Sequence, residues 1–188
     1  MKTFSICDFE VNNKEPYWRK PEIYKKITDD KIIAVSSKFF EDCPAWSFRG
    51  AGIVRVSIEQ VWKAVFEFDR LKKMADIFSE VDYDKSQKKL KLKIKLLAIE
   101  KELVLRFITE EHLKEDKKLK FVVEYGFLKT LEGELRLKIY NSQETEVGLF
   151  AKYPDKIERW PDWIFAFATE AVMSRVAGEL RKMVELGL

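Results

Sequence analysis

Histidine and cysteine are scarce in this chain of 188 residues: His112 is the single histidine, and Cys7 and Cys43 are the two cysteines. Two thiols with no CxxC or Cys/His spacing make neither a disulfide scaffold nor a zinc site, so they read as unpaired. One histidine cannot build a His-rich metal centre, and Ser-His-Asp or Cys-His catalysis would depend entirely on it. His112 lies in TEEHLK, a polar strand end leading into a turn, which reads as a solvent-facing position. Charge of one sign is also lacking. The 35 Lys+Arg against 32 Asp+Glu leave a net charge of +3, so the basic footprint expected of a nucleic-acid partner is missing. Seven glycines and five prolines exclude collagen-like order, and neither GxGxxG nor GxxxxGK[ST] occurs to cradle a nucleotide. No cofactor and no metal are expected. No apolar run approaches the roughly 20 residues that cross a bilayer. Acids at Asp8 and Glu10 break the first ten residues before a signal-peptide core forms, so the expected location is cytoplasmic.

Apolar residues make up 46% of the chain and aromatics 13%, enough for one soluble domain burying roughly 70% of its unfolded surface. Residues 1–22, with Asn12-Asn13, Pro16 and Pro21, read as an irregular arm laid over a single domain spanning 23–188. Residues 24–27 and 32–35 read as short strands around the Asp29-Asp30 turn. Residues 46–56 read as a longer strand bent at Gly50 and Gly52. Ser57 and Gln60 have capping-box spacing ahead of Val61, Trp62, Val65 and Phe66, so a helix follows, and a second short helix is expected over 70–78. The pattern then changes to period two. KLKLKIKL over 89–96 puts Leu90, Leu92, Ile94 and Leu96 on one face and four lysines on the other. Residues 103–108, 119–127, 131–140 and 146–153 repeat the alternation with short connections, an antiparallel meander. A long amphipathic helix closes the chain over about 157–186, with Pro161 in its first turns and Gly187 at its end.

An antiparallel sheet of six or more strands with one apolar face needs a cover, and the final helix is the element large enough. The fold class is therefore α+β, a curved sheet gripping one helix, an arrangement that often leaves a pocket. Val61-Trp62, Phe68-Asp69-Arg70-Leu71, Pro161-Asp162-Trp163 and Leu180-Arg181-Lys182 carry a resemblance covering roughly residues 24–186. In these phrases and in element order the chain resembles the START-related helix-grip superfamily, which includes START lipid-transfer domains, polyketide cyclases and the birch-pollen-allergen type. The early strand resembles the START arrangement most. The resemblance implies an internal cavity for a hydrophobic small molecule such as a lipid, sterol or isoprenoid, bound without catalysis. Its lining would come from inward positions: Leu92, Ile94, Leu105, Phe107, Phe121, Val123, Leu135, Leu137, Leu149, Ile164, Phe167, Ala168 and Ala171. Arg175, near the apolar stripe of the helix, would meet an anionic headgroup.

Two other readings stand beside this one. A cyclase or aromatase-like enzyme needs an acid or base such as Glu124, Tyr125 or Tyr140 facing the cavity, whereas alternation reads Glu124, Arg106 and Arg136 as outer-face charges. A protein-interaction module needs exposed basic or aromatic patches and a filled interior. For transient membrane contact the candidates are Trp160-Pro161-Asp162-Trp163, the Phe39-Phe40 pair and the lysine face of KLKLKIKL, the last of which reads more readily as a solvated sheet face.

Overall fold

The structure, a computed structural model, describes residues 20–39, 45–74, 76–96, 99–112, 115–155 and 161–187. Cys7, Cys43, Phe40, Trp160 and most of the 1–22 arm lie outside the described residues, as does the side chain of His112.

Among the described residues, alternating apolar side chains build eight strands: β1 (Ala34–Phe39), β2 (Trp46–Val54), β3 (Phe78–Asp84), β4 (Lys89–Leu96), β5 (Ile99–His112), β6 (Asp116–Gly126), β7 (Glu132–Asn141) and β8 (Glu144–Tyr153). They form one antiparallel sheet in the order β1-β2-β8-β7-β6-β5-β4-β3, so the meander β3 to β8 is joined at its last strand by the early β1–β2 hairpin. Register puts Val35, Phe48, Leu149, Leu135, Leu119, Phe107, Leu90 and Val81 on one face, which curves around the helices.

Helix α1 (Pro21–Thr28) occupies a segment whose residues 24–27 suggested a strand. It is a helix because Ile23 and Ile27, one turn apart, pack together against Ala51 and Ile53 on the convex side of β2. Helix α2 (Ile58–Val65) starts at the expected cap: Gln60 Oε1 accepts from the Ser57 backbone N–H at 3.2 Å and from its hydroxyl at 2.9 Å. The second short helix is a 3-10 turn over Phe68–Lys73, held by i to i+3 bonds such as Met74 N–H to Leu71 C=O at 3.0 Å, and Phe78 already belongs to β3.

The closing helix α3 (Asp162–Leu186) ends at Gly187, whose φ of 68° is left-handed and whose N–H returns to the Met183 carbonyl. Polar bonds tie α3 down along its length. Glu170 accepts the Ser37 N–H on the outer edge of β1 at 2.6 Å, the Arg181 guanidinium donates to the Lys31 carbonyl at 2.7 Å, and Glu185 accepts the Arg55 N–H at 2.9 Å. From the 3-10 turn, Arg70 donates to the Met183 carbonyl at 2.9 Å while paired with Glu67. Arg70 and Arg181, both in phrases that carry the family resemblance, thus fasten the helix to the sheet unit.

Candidate functional site

The apolar face of the sheet and the inner face of α3 enclose the main core, closed at each end by aromatic rings. At the start of α3, Phe165 makes edge contacts with Trp46, Phe39 and Phe127 at ring distances of 5.2, 6.1 and 6.3 Å. On the α2 side, Trp62 contacts Phe66 at 5.3 Å, Phe68 stacks on Phe107 at 5.5 Å, and Tyr83 lies 4.6 Å from Phe68. Between these closures burial is uneven. Leu119, Leu137 and Val123 are essentially buried, whereas Leu149, Leu135, Phe121 and Leu105, all in the middle of the same face, remain half-buried. Close packing would bury the centre of a covered sheet most completely, so α3 leaves accessible apolar surface along this band. Gly133 belongs to the same surface: a Cβ there would stand 2.2 Å from the Phe121 ring, which occupies the space that the missing side chain leaves.

The nine strand positions expected to point inward do so. Leu92, Phe107 and Val123 are core residues, Ile94, Leu105, Phe121, Leu135 and Leu149 pack partly buried against that core, and Leu137 is buried beside α2. Helical positions divide differently. Ala168 is buried and Ile164 half-buried, but Phe167 is 71% exposed and Ala171 is exposed as well. The cause is the angular spread of apolar residues on α3: Phe165, Ala168, Val176 and Met183 define the buried stripe, and Phe167 lies two residues, about 200°, from Phe165. Arg175 falls on the outer side, paired with Asp76 rather than pointing to the core. Phe167, Ala171 and Arg175 therefore do not face the sheet.

The side chains named for acid–base chemistry also face away. Glu124 is on the convex side, bound to Lys89 at 3.2 Å and to Arg106, and these cations hold its carboxyl below the usual range, Lys89 most strongly. Tyr125 is 62% exposed, and Tyr140 packs under Lys31 on the outer surface. Arg136 pairs with Asp116 at 3.0 Å, which raises its affinity for its proton. The cyclase reading based on Glu124, Tyr125 or Tyr140 fails on these positions. The lysine face of β4 is likewise engaged: Lys91 bridges Glu80 at 2.9 Å and Glu102 at 3.5 Å, and Lys93 binds Glu80. Its cations are matched by carboxylates, which suits a solvated sheet face.

Among the described residues, one inward charged strand residue escaped the sequence reading. Lys117, the second residue of β6, lies on the concave side opposite Leu137, with its side chain 8% exposed. Its ammonium lies 2.9 Å from Glu59 of α2 and 5.9 Å from the Trp62 ring centre. The signal was present in the alternation Lys117, Leu119, Phe121, Val123, which puts the lysine on the apolar face. Thr145, fully buried, has its hydroxyl satisfied by the Val56 carbonyl at 2.8 Å. Among the described residues no group of three His, Cys, Asp or Glu stands close enough to hold a metal, and no helix is long and apolar enough to cross a membrane.

No family model matches the chain, and no curated protein matches its sequence. Solved structures do match in fold. A STAR-related lipid transfer protein from Xanthomonas axonopodis superposes with a TM-score of 0.63 at 14% identity, covering 81% of this chain and 93% of its own. A START superfamily protein from Mycobacterium smegmatis gives 0.61 at 11% identity, covering 76% and 99%. Human StAR-related lipid transfer protein 5 gives 0.60 at 14% identity, covering 82% of each chain. The eight-stranded antiparallel sheet, the two short helical segments between β2 and β3 and the long closing helix therefore form the helix-grip fold seen in these structures.

Proposed function

We propose that this domain is a non-catalytic carrier that binds a hydrophobic small molecule, such as a lipid, sterol or isoprenoid, between the concave sheet and α3. The half-buried band Leu149, Leu135, Phe121 and Leu105 carries the reading, because apolar surface left accessible at the centre of a covered sheet gains about 25 cal/mol per Å² when a ligand covers it. Lipid-transfer proteins among the structural neighbours support it. The remaining inward positions, Leu92, Ile94, Phe107, Val123, Leu137, Ile164 and Ala168, complete the proposed lining. Trp163 and Phe167, 73% and 71% exposed one turn apart on α3, support transient contact with a membrane surface during loading.

Native mass spectrometry of the purified protein, followed by solvent extraction, tests the carrier. A stoichiometric apolar molecule released on extraction is the expected result, and an unliganded mass after incubation with mixed lipids and quinones overturns it. For the membrane contact, Trp163→Ala with Phe167→Ala should lower sedimentation with lipid vesicles several-fold at unchanged thermal stability.

A further inference from the structure

We propose that Lys117 is the polar anchor of the site and that the ligand is an anionic amphiphile, a carboxylate on a long apolar body. The inference rests on the carrier reading and names the ligand class it takes. A lysine on the concave face is costly to bury and persists where its ammonium meets an anion. Here the anion is supplied by the protein itself, unevenly. Lys117 is 8% exposed, while Glu59, whose two oxygens lie 2.9 and 3.1 Å from Nζ, is 70% exposed. Glu59 can turn to water at little cost, but Lys117 cannot. A ligand carboxylate arriving along the concave face would take over the Glu59 position and return Glu59 to solvent, so one ion pair replaces another without stranding a charge.

The location fits such an exchange. Lys117 stands beside Leu119 and opposite Leu137 in the sheet, one step along β6 and β7 from the half-buried Leu135. An apolar tail lying on Leu135, Leu149 and Phe121 would reach Nζ by running over Leu119 and Leu137, both fully covered, so its entry has to lift α2 from Leu137 at this end of the sheet. Trp62, under the ammonium, holds the cation in place through its ring face while the anion exchanges. Among the described residues, no buried charged side chain faces inward at the opposite closure, where Trp46, Phe165 and Phe127 meet.

The test compares palmitate with cetyl alcohol, equal in chain length and different in head charge, by calorimetric titration of the full chain. Wild type should bind palmitate about tenfold tighter, the preference a charge-assisted contact supplies. Lys117→Met should bind both probes equally at the wild-type affinity for the alcohol. Glu59→Gln, which removes the internal competitor, should tighten palmitate binding several-fold, an effect that a plain latch between α2 and the sheet would not produce. Equal binding of the two probes by wild type, or a palmitate preference surviving in Lys117→Met, overturns the anchor and leaves the carrier standing. Palmitate affinity unchanged in Glu59→Gln, with only a lower melting temperature, also overturns it. Failure of wild type to bind either probe, together with an unliganded native mass, overturns the carrier itself.

Discussion

Leu137 and Leu149 face the same way on neighbouring strands, yet Leu137 has no exposed surface and Leu149 is half-buried. Truncation should separate them. Leu137→Ala leaves a void among Val54, Ile58 and Val61 and should cost about 3 kcal/mol, within the range for fully buried leucines. Leu149→Ala removes atoms that already border accessible space and should cost about 1 kcal/mol. Denaturant unfolding of the two variants reads the difference, and equal costs would mean a closed interior. Gly133→Ala drives a methyl against the Phe121 ring and should destabilise by about 1–3 kcal/mol in the same assay. At this scale the strands were legible from sequence, because a period of two leaves a side chain only two directions and nine inward residues could be named. On α3 the 3.6 period spreads apolar residues over many directions, so Phe167, Ala171 and Arg175 were assigned to the wrong side. Lys117 belongs to the charged run Lys114-Glu115-Asp116-Lys117, which reads as a turn ahead of a strand at 119–127, so its inward step on β6 was hidden.

Across β3, β4, β5 and β6 the convex surface is a ladder of ion pairs. Lys93 and Lys91 hold the Glu80 carboxyl below its usual range, and Lys89 and Arg106 do the same for Glu124. A depressed carboxylate stabilises the fold above the unfolded-chain value, about 4.3 for glutamate, and that contribution is lost as pH falls through the lower folded values. The melting temperature should therefore be nearly flat from about pH 8 to pH 5 and decline below about pH 4.3. Glu80→Gln with Glu124→Gln should flatten the acid limb, by a modest amount since both sites are open to solvent. On β1 the free edge is covered by α3 through Glu170. Glu170→Ala should speed hydrogen exchange of the Ser37 amide well beyond that of the paired β2 amides. Most elements were visible in the sequence, with α1 the exception. Its Ile23 and Ile27 suit a strand by composition, and only the apolar patch on the far side of β2 makes helical spacing pay.

For the whole molecule, the order of elements and the single curved sheet followed from the switch between periods of 3.6 and 2. The pairing of β2 with β8 did not, since nothing local in either strand names a partner so distant in the chain. That pairing joins Val54 to Thr145 and Trp46 to Tyr153, and it has a consequence for biosynthesis. As the polypeptide leaves the ribosome, β2 forms its hairpin with β1 early, but its other edge waits until the last strand emerges. At about 5–20 residues per second the wait lasts on the order of 5–20 s. Throughout it, the apolar WSFRGAGIV segment offers an unsatisfied row of amides and carbonyls to any passing nascent chain. The same strand that completes the grip in the finished domain is, during synthesis, a natural client for a chaperone.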